Sequence, residues 1–190
     1  MSEFFLELFS EEIPANLQKK AREIILEKFT VLLESKQINF KKKLSFSTPN
    51  RLIVLFESLD KEIIQKAAEI KGPNINTPDK ALEGFLRSNQ IDRKEIYQKK
   101  IDKGEFYFFK KPSKKIKTIH LLEEHTPQIL DEISWKKSMK WGNFNLNWAR
   151  PLKSILAIFD NKVLRFKFFH LTSNNLTFAE SAMENSVKII

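Results

Sequence analysis

Apolar residues recur with two different periods along this chain. Phe4-Phe5-Leu6-Glu7-Leu8-Phe9 is a short aromatic-rich run with one internal acid, and its length and composition predict a strand buried largely on both faces. From Leu17 the period changes. Leu17, Ala21, Ile24, Ile25, Phe29, Leu32 and Leu33 follow one another at mostly three- and four-residue steps, while Lys19, Lys20, Glu23, Glu27 and Glu34 take the other face. This is the pattern of an amphipathic helix, ending near Gln37. Ser10 stands where an N-cap belongs, with Glu11 and Glu12 near the positive end of the helix dipole and Pro14 in the first turn. Residues 44–47 and 52–59 then alternate as strands broken at Thr48-Pro49, because proline removes a ladder donor. Together these elements predict a helix layered on a sheet.

The middle of the chain is less regular. Residues 63–70 fit helix or strand, and Lys71-Gly72-Pro73 ends them. Thr77 or Asp79 can cap a helix through Lys80, Ala81, Leu82, Phe85 and Leu86, and Gly84 inside it predicts close packing or an approach by another chain, since glycine there is unfavourable by up to about 1 kcal/mol. A second short helix is expected from Ile91-Asp92 through Tyr97, then a strand over residues 105–111, a lysine-rich link over 112–117 and a helix over about 119–133. Residues 144–148, 154–159 and 163–169 read as strands, with Asp160-Asn161 as the hairpin turn between the last two. The expected fold class is α+β, a helix-on-sheet amino-terminal layer followed by a mixed helical and antiparallel β region. The expected divisions are 1–70 (strand-helix-strand), 71–135 (helices and loops with one aromatic strand) and 136–190 (β-rich).

Composition narrows the function classes. The 190 residues are 42% hydrophobic, enough for a substantial core. Cysteine is absent, which removes disulfides, thiolate metal sites and cysteine nucleophiles and fits a reducing, cytoplasmic setting. Acids stand in Met1-Ser2-Glu3-Phe4-Phe5-Leu6-Glu7 where a signal peptide carries base, and no apolar run nears the roughly 18 residues of a membrane span. No export and no membrane partner are therefore expected. The net charge of +9 invites a polyanion. Lysines outnumber arginines 27 to 6, however, a bias that base composition alone can generate, so charge leaves the question open.

Catalytic constellations are scarce. With glycines only at 72, 84, 104 and 142, neither a Walker loop nor a dinucleotide fingerprint can be written. His120 and His125 are five apart, which points them about 140 degrees away from each other on a helix, so no metal site is expected. His170, alone in an apolar stretch, reads as a core or strand-edge residue. No catalytic residue is assigned. Binding patterns are richer: Lys41-Lys42-Lys43, Lys99-Lys100, Lys110-Lys111, Lys114-Lys115-Lys117 and Lys136-Lys137-Lys140 interleave with Tyr97, Tyr107, Trp135, Trp141 and Trp148. Lysines contact phosphates while aromatic faces stack on unpaired bases.

Several blocks also succeed one another in a specific order. Residues 4–15, Thr48-Pro49-Asn50-Arg51-Leu52, Lys71-Gly72-Pro73, Ala81 with Gly84-Phe85 and Arg87, Lys137-Ser138-Met139-Lys140-Trp141-Gly142 and Arg150-Pro151-Leu152 resemble the beta-subunit family of bacterial heterotetrameric glycyl-tRNA synthetase, from residue 3 to about 177. The chain departs from that family after Ser173-Asn174-Asn175-Leu176-Thr177, where Phe178-Ala179-Glu180-Ser181 replaces a glycine-histidine-arginine run. Full beta subunits are several times longer and carry an anticodon-binding module, so the chain looks like an amino-terminal piece.

The resemblance implies a subunit of glycine–tRNA ligase whose chemistry, with ATP and Mg, belongs to a separate alpha subunit. The implied partners are that alpha subunit and tRNA(Gly), with no cofactor on this chain. Arg51, Lys71, Lys137, Lys140, Trp141 and Arg150 are the expected RNA or partner surface. A free-standing basic RNA-binding module and a non-catalytic scaffold are the alternatives.

Overall fold

The computed structural model describes residues 2–65, 67–101, 104–140, 147–178 and 186–188. Its elements are β1 (Phe4–Ser10), α1 (Ala15–Ser35), β2 (Lys42–Thr48), β3 (Arg51–Glu57), β4 (Glu62–Gln65), β5 (Ala68–Asn74), α2 (Asp79–Asn89), β6 (Ile96–Ile101), β7 (Gly104–Lys111), β8 (Lys114–Lys117), α3 (Thr118–Asp131), β9 (Leu152–Phe159), β10 (Lys162–Val163), β11 (Lys167–Phe168), β12 (Leu171–Thr172), β13 (Leu176–Phe178) and β14 (Ser186–Lys188). The fold is α+β. Two compact units form, residues 1–63 with 116–190, and residues 64–115. These boundaries differ from the expected 70 and 135 because β9 and β10, late in sequence, complete the sheet that β1 begins.

In the first unit an antiparallel sheet runs in the order β10-β9-β1-β3-β2. β1 is central, so Phe4 lies opposite both Phe56 and Phe159, and Leu8 opposite both Leu52 and Ile155. Leu17, Ala21, Ile25, Phe29 and Leu33, at every fourth position, are the buried stripe of α1. They join Phe4, Leu6, Leu8, Val54 and Phe56 in one core, with the Phe4 and Phe29 rings 5.0 Å apart. Leu122 and Leu130 of α3 enter the same core. Asp160 and Asn161 both have φ near +55° (50° and 60°), the turn geometry that lets β10 fold directly back on β9.

Other local expectations change. Ser10 is not the cap of α1 but the last residue of β1, buried, with its hydroxyl donating to the Glu11 carbonyl; Pro14 takes the cap position. Neither Thr77 nor Asp79 caps α2, because Pro78 precedes it without any side-chain cap. The turn at Asp92 closes after Glu95, and Ile96 onward pairs as β6 with β7 instead of continuing as helix. The expected strand over 163–169 breaks after Val163: Leu164, Phe166 and Phe168 are buried, and Ser173 Oγ accepts from the Phe166 amide at 3.0 Å and donates to the Leu164 carbonyl. His170 is exposed in the β11–β12 turn rather than in a core strand. The expected strand over 144–148 lies mostly outside the described residues.

In the second unit β5, β7 and β6 form an antiparallel sheet, and α2 packs beside β5. Gly72 lets α2 come close there, since a Cβ would meet the Phe85 ring at 3.0 Å and the ring would have to give way by a few tenths of an ångström. Gly84 is the opposite case. It is exposed, and beyond its own stretch of helix no atom of the described residues lies within 4 Å of a Cβ built on it, so of the two expectations at this position close packing is not met among the described residues. Gly84→Ala should therefore stabilise the protein by about 0.5–1 kcal/mol, read as a higher midpoint in urea denaturation. An unchanged or lower midpoint would mean that residue 84 meets something outside the chain.

Candidate nucleic-acid interface

Three turns that are far apart in sequence meet at one end of the first unit's sheet. The amide of Ser10 donates to the Asn50 carbonyl at 2.9 Å, that of Ile13 to Pro49 at 2.7 Å, and that of Glu11 to Pro151 at 2.9 Å. Residues 10–14 thus run between the 49–51 turn and the 150–151 turn, with the amides of Ser10, Glu11 and Ile13 satisfied by carbonyls of those two turns, two of them the carbonyls of prolines. Arg150 fastens the arrangement: its Nε donates to the Glu12 carbonyl at 3.1 Å, and a nitrogen of its guanidinium lies 3.9 Å from Met139 Sδ. A cleft of about 270 Å3 lined by Glu11, Glu12, Pro14 and Arg150 opens here, its acids offsetting the arginine.

Arg51 opens β3 and reaches across the sheet. Its Nε is 3.4 Å from Glu7 Oε2, its guanidinium lies 4.9 Å from the centroid of Phe9, and it donates to the Phe178 carbonyl. Glu7 is 5% exposed and also accepts from Thr177 Oγ1 at 2.6 Å. The charge pair fastens β13 to β1 and β3. Arg51 is thus held by internal partners, whatever else it meets. The sequence carried one sign of this, a single acid within the apolar run of β1.

Lys137 and Lys140 are exposed in the segment after α3. Between them, Met139 bridges to Trp148 through backbone bonds of 2.9 and 3.5 Å. Arg150 stands beside Met139, so these three basic residues share one segment pair. Trp141 lies outside the described residues. Trp148 is 1% exposed and so offers no open stacking face, and the half-buried Trp135 packs one side against it with ring centroids 5.1 Å apart. On β2, Lys42 and Lys43 pair with Glu57 and Glu27 at 3.6 and 3.8 Å. His120 and His125 turn to Glu123 and Gln128, each at 3.1 Å, and among the described residues no group of three or more His, Asp or Glu converges to hold a metal. No described helix is long and apolar enough to cross a membrane.

Lys71 belongs to the second unit, exposed on β5, with Nζ 3.5 Å from the centroid of Phe106. Beside it Glu69 accepts from Lys99 Nζ at 2.7 Å and from the Tyr97 hydroxyl. These bonds hold the Glu69 carboxyl below its ordinary pKa, Lys99 contributing most, and the same carboxylate raises that of Tyr97.

The residues that converge belong to the sequence blocks on which the family resemblance rests. The family model for the glycyl-tRNA synthetase beta subunit matches residues 4–190. The chain belongs to the glycyl-tRNA synthetase beta-subunit family. Relatives named glycine–tRNA ligase beta subunit include that of Rickettsia bellii (strain OSU 85-389), 40% identical over 185 residues, which cover 97% of this chain and 28% of the relative. That of Rickettsia felis is 41% identical over 178 residues, covering 94% and 27%, and that of Rickettsia canadensis 39% identical over 185, covering 97% and 28%. The chain spans about 28% of the length of the curated relatives it matches. The beta-subunit match continues past residue 177, through the departure noted at Phe178-Ala179-Glu180-Ser181.

Two outcomes test this geometry. Arg51→Met leaves the buried Glu7 carboxylate without its cation and should destabilise the protein by about 3 kcal/mol in chemical denaturation, with part of the loss recovered when Glu7→Gln is added. A loss no larger than that of an exposed arginine would dismiss the fastening role. For Glu69, whose pKa is lowered by folding, the stabilising contribution is present above the ordinary carboxylate range and is lost as pH falls through the depressed value. Glu69→Gln should accordingly flatten part of the acid limb of thermal stability measured from neutral pH down to about pH 2.

Proposed function

We propose that this chain is the amino-terminal part of a glycine–tRNA ligase beta subunit, contributing to the binding of tRNA(Gly) and to subunit assembly. ATP, Mg and glycine are handled by the alpha subunit in this reading, and the complex works in the cytoplasm. The observation that carries it is the family match along residues 4–190, joined to a chain of net charge +9. The basic residues available to a polyanion differ in standing. Lys137 and Lys140 are exposed, and among the described residues no contact engages their ammonium groups, which suits phosphate contact, whereas Arg150 and Arg51 are partly committed to carbonyl and carboxylate groups of the fold.

A scaffold role for part of the family's sequence blocks is favoured by one specific observation. Residues 10–14, 49–51 and 150–151 are held to one another by backbone hydrogen bonds. That junction accounts for where these segments lie without any ligand, so the RNA surface centres on Lys137 and Lys140, with Trp141 between those lysines and Arg150 in sequence.

Binding of the full chain, alone and with the alpha subunit, to tRNA(Gly) across a salt series tests this. Replacing Lys137 and Lys140 by glutamate should weaken binding and lower the slope of log affinity against log salt by about two. Equal affinity and slope in the substituted chain would remove this surface, and failure to copurify with the alpha subunit would count against the assembly role.

A further inference from the structure

The sheet of the second unit has two unlike faces. Strand residues alternate between faces, and residues directly opposite in an antiparallel ladder share one. Gly72 approaches Phe85 of α2, so the face of Ile70, Gly72 and Phe109 is the one that α2 covers. The other face carries Tyr97 and Lys71 opposite Phe108, Lys99 opposite Phe106, and Glu69 opposite Lys110.

This second face is open to solvent and built from plates and cations. Tyr97 is 38% exposed and lies stacked over Phe108, with centroids 6.2 Å apart and planes inclined by 26°. Phe108 is buried beneath it, Phe106 is half-buried, and Lys71, Lys99 and Lys110 are exposed. Lys71 Nζ stands 3.5 Å from the Phe106 centroid and Lys99 Nζ 5.3 Å from that of Phe108. Among the described residues of this face three lysines accompany one acid, Glu69, which also holds the Tyr97 hydroxyl and so fixes its ring against the sheet. A rigid aromatic surface with flexible ammonium groups at its margin matches the needs of unpaired nucleotides, whose bases present flat faces while their phosphates present charge.

We propose that the open face of the β5-β7-β6 sheet is a platform for unpaired RNA nucleotides. Bases stack on Tyr97 and Phe106, while Lys71, Lys99 and Lys110 face the phosphates. A base arriving at Phe106 takes the place of the Lys71 ammonium over the ring, and the four-carbon stem of Lys71 lets that charge swing to the neighbouring phosphate. The choice of RNA rests on the tRNA-binding reading above; the platform itself rests on the second unit alone.

The test uses the full chain with a labelled oligouridylate of about 12 nucleotides, a length that spans a typical single-strand site. Tyr97→Ala and Phe106→Ala should each weaken binding by about five- to a hundredfold, while Tyr97→Phe, which keeps the ring, retains most of the affinity. Lys71→Gln should lower the salt slope by about 0.7. Where an alanine variant loses its circular dichroism spectrum, photocrosslinking of 4-thiouridine RNA to the unsubstituted chain decides, and crosslinks should fall on β6 and β7. Folded alanine variants with unchanged affinity, or crosslinks confined to the first unit, would overturn the platform. So would retention of polyglutamate in place of oligouridylate. Loss of oligouridylate binding in Tyr97→Ala with full binding in the Lys137 and Lys140 glutamate variant supports the platform even if the first unit's surface fails. The reverse pattern rejects the platform and leaves the first unit's surface standing.

Discussion

The fold of the first unit depends on β1 being paired along both of its edges. Its backbone satisfies β3 on one side and β9 on the other, although β9 lies more than a hundred residues later in the chain. A strand in that position is buried on both faces, which is why six of the seven residues of β1 are buried and why the run is apolar and aromatic. Every later commitment follows from this placement. α1 has a face to cover because Phe4, Leu6 and Leu8 align with Val54, Phe56 and Ile155, and the second unit is the excursion made between building one flank of β1 and the other.

Burial on both faces makes Glu7 the exceptional residue of the strand. A carboxylate removed from water needs partners, and it has the Arg51 guanidinium and the Thr177 hydroxyl. Because Thr177 and the Phe178 carbonyl belong to β13, the same charge pair fixes where the late segment lies against the early sheet. The three proline-bearing turns at the sheet's end repeat the principle with neutral groups: amides at residues 10, 11 and 13 have no strand partner to take them and use carbonyls of the two flanking turns. Sequence blocks on which the family resemblance rests are therefore in part the parts that meet, and membership of a block is a weaker sign of ligand contact than its residues' exposure.

The candidate surface was legible only in part. Lys137 and Lys140 are exposed as charge patterning suggested, yet Arg51 and Arg150 have the same charge and are engaged by the fold. Nothing in residue type separates these cases, since the deciding partners, Glu7 and the Glu12 carbonyl, are remote in sequence. The tryptophans follow the same rule: Trp148 looked available as a stacking side chain and lies at the centre of an aromatic cluster with Trp135 and Phe168. Tyr97, by contrast, was expected near the end of a short helix, and its place on an open sheet face comes from pairing with β7.

What the sequence determined by itself was whatever short-range periodicity and turn chemistry control. The stripe of α1, the aromatic strand β1, the break at Thr48-Pro49 and the turn at Asp160-Asn161 all express interactions between residues within a few positions of one another. The tertiary structure alone decided the interleaving of the two units, the β9–β1 pairing and the partners of Glu7. It also turned Lys71, Tyr97 and Phe106 to one face of a sheet. Those depend on contacts across tens to hundreds of residues, where the closing of long loops and the satisfaction of buried polar groups select one arrangement among many that the local pattern permits.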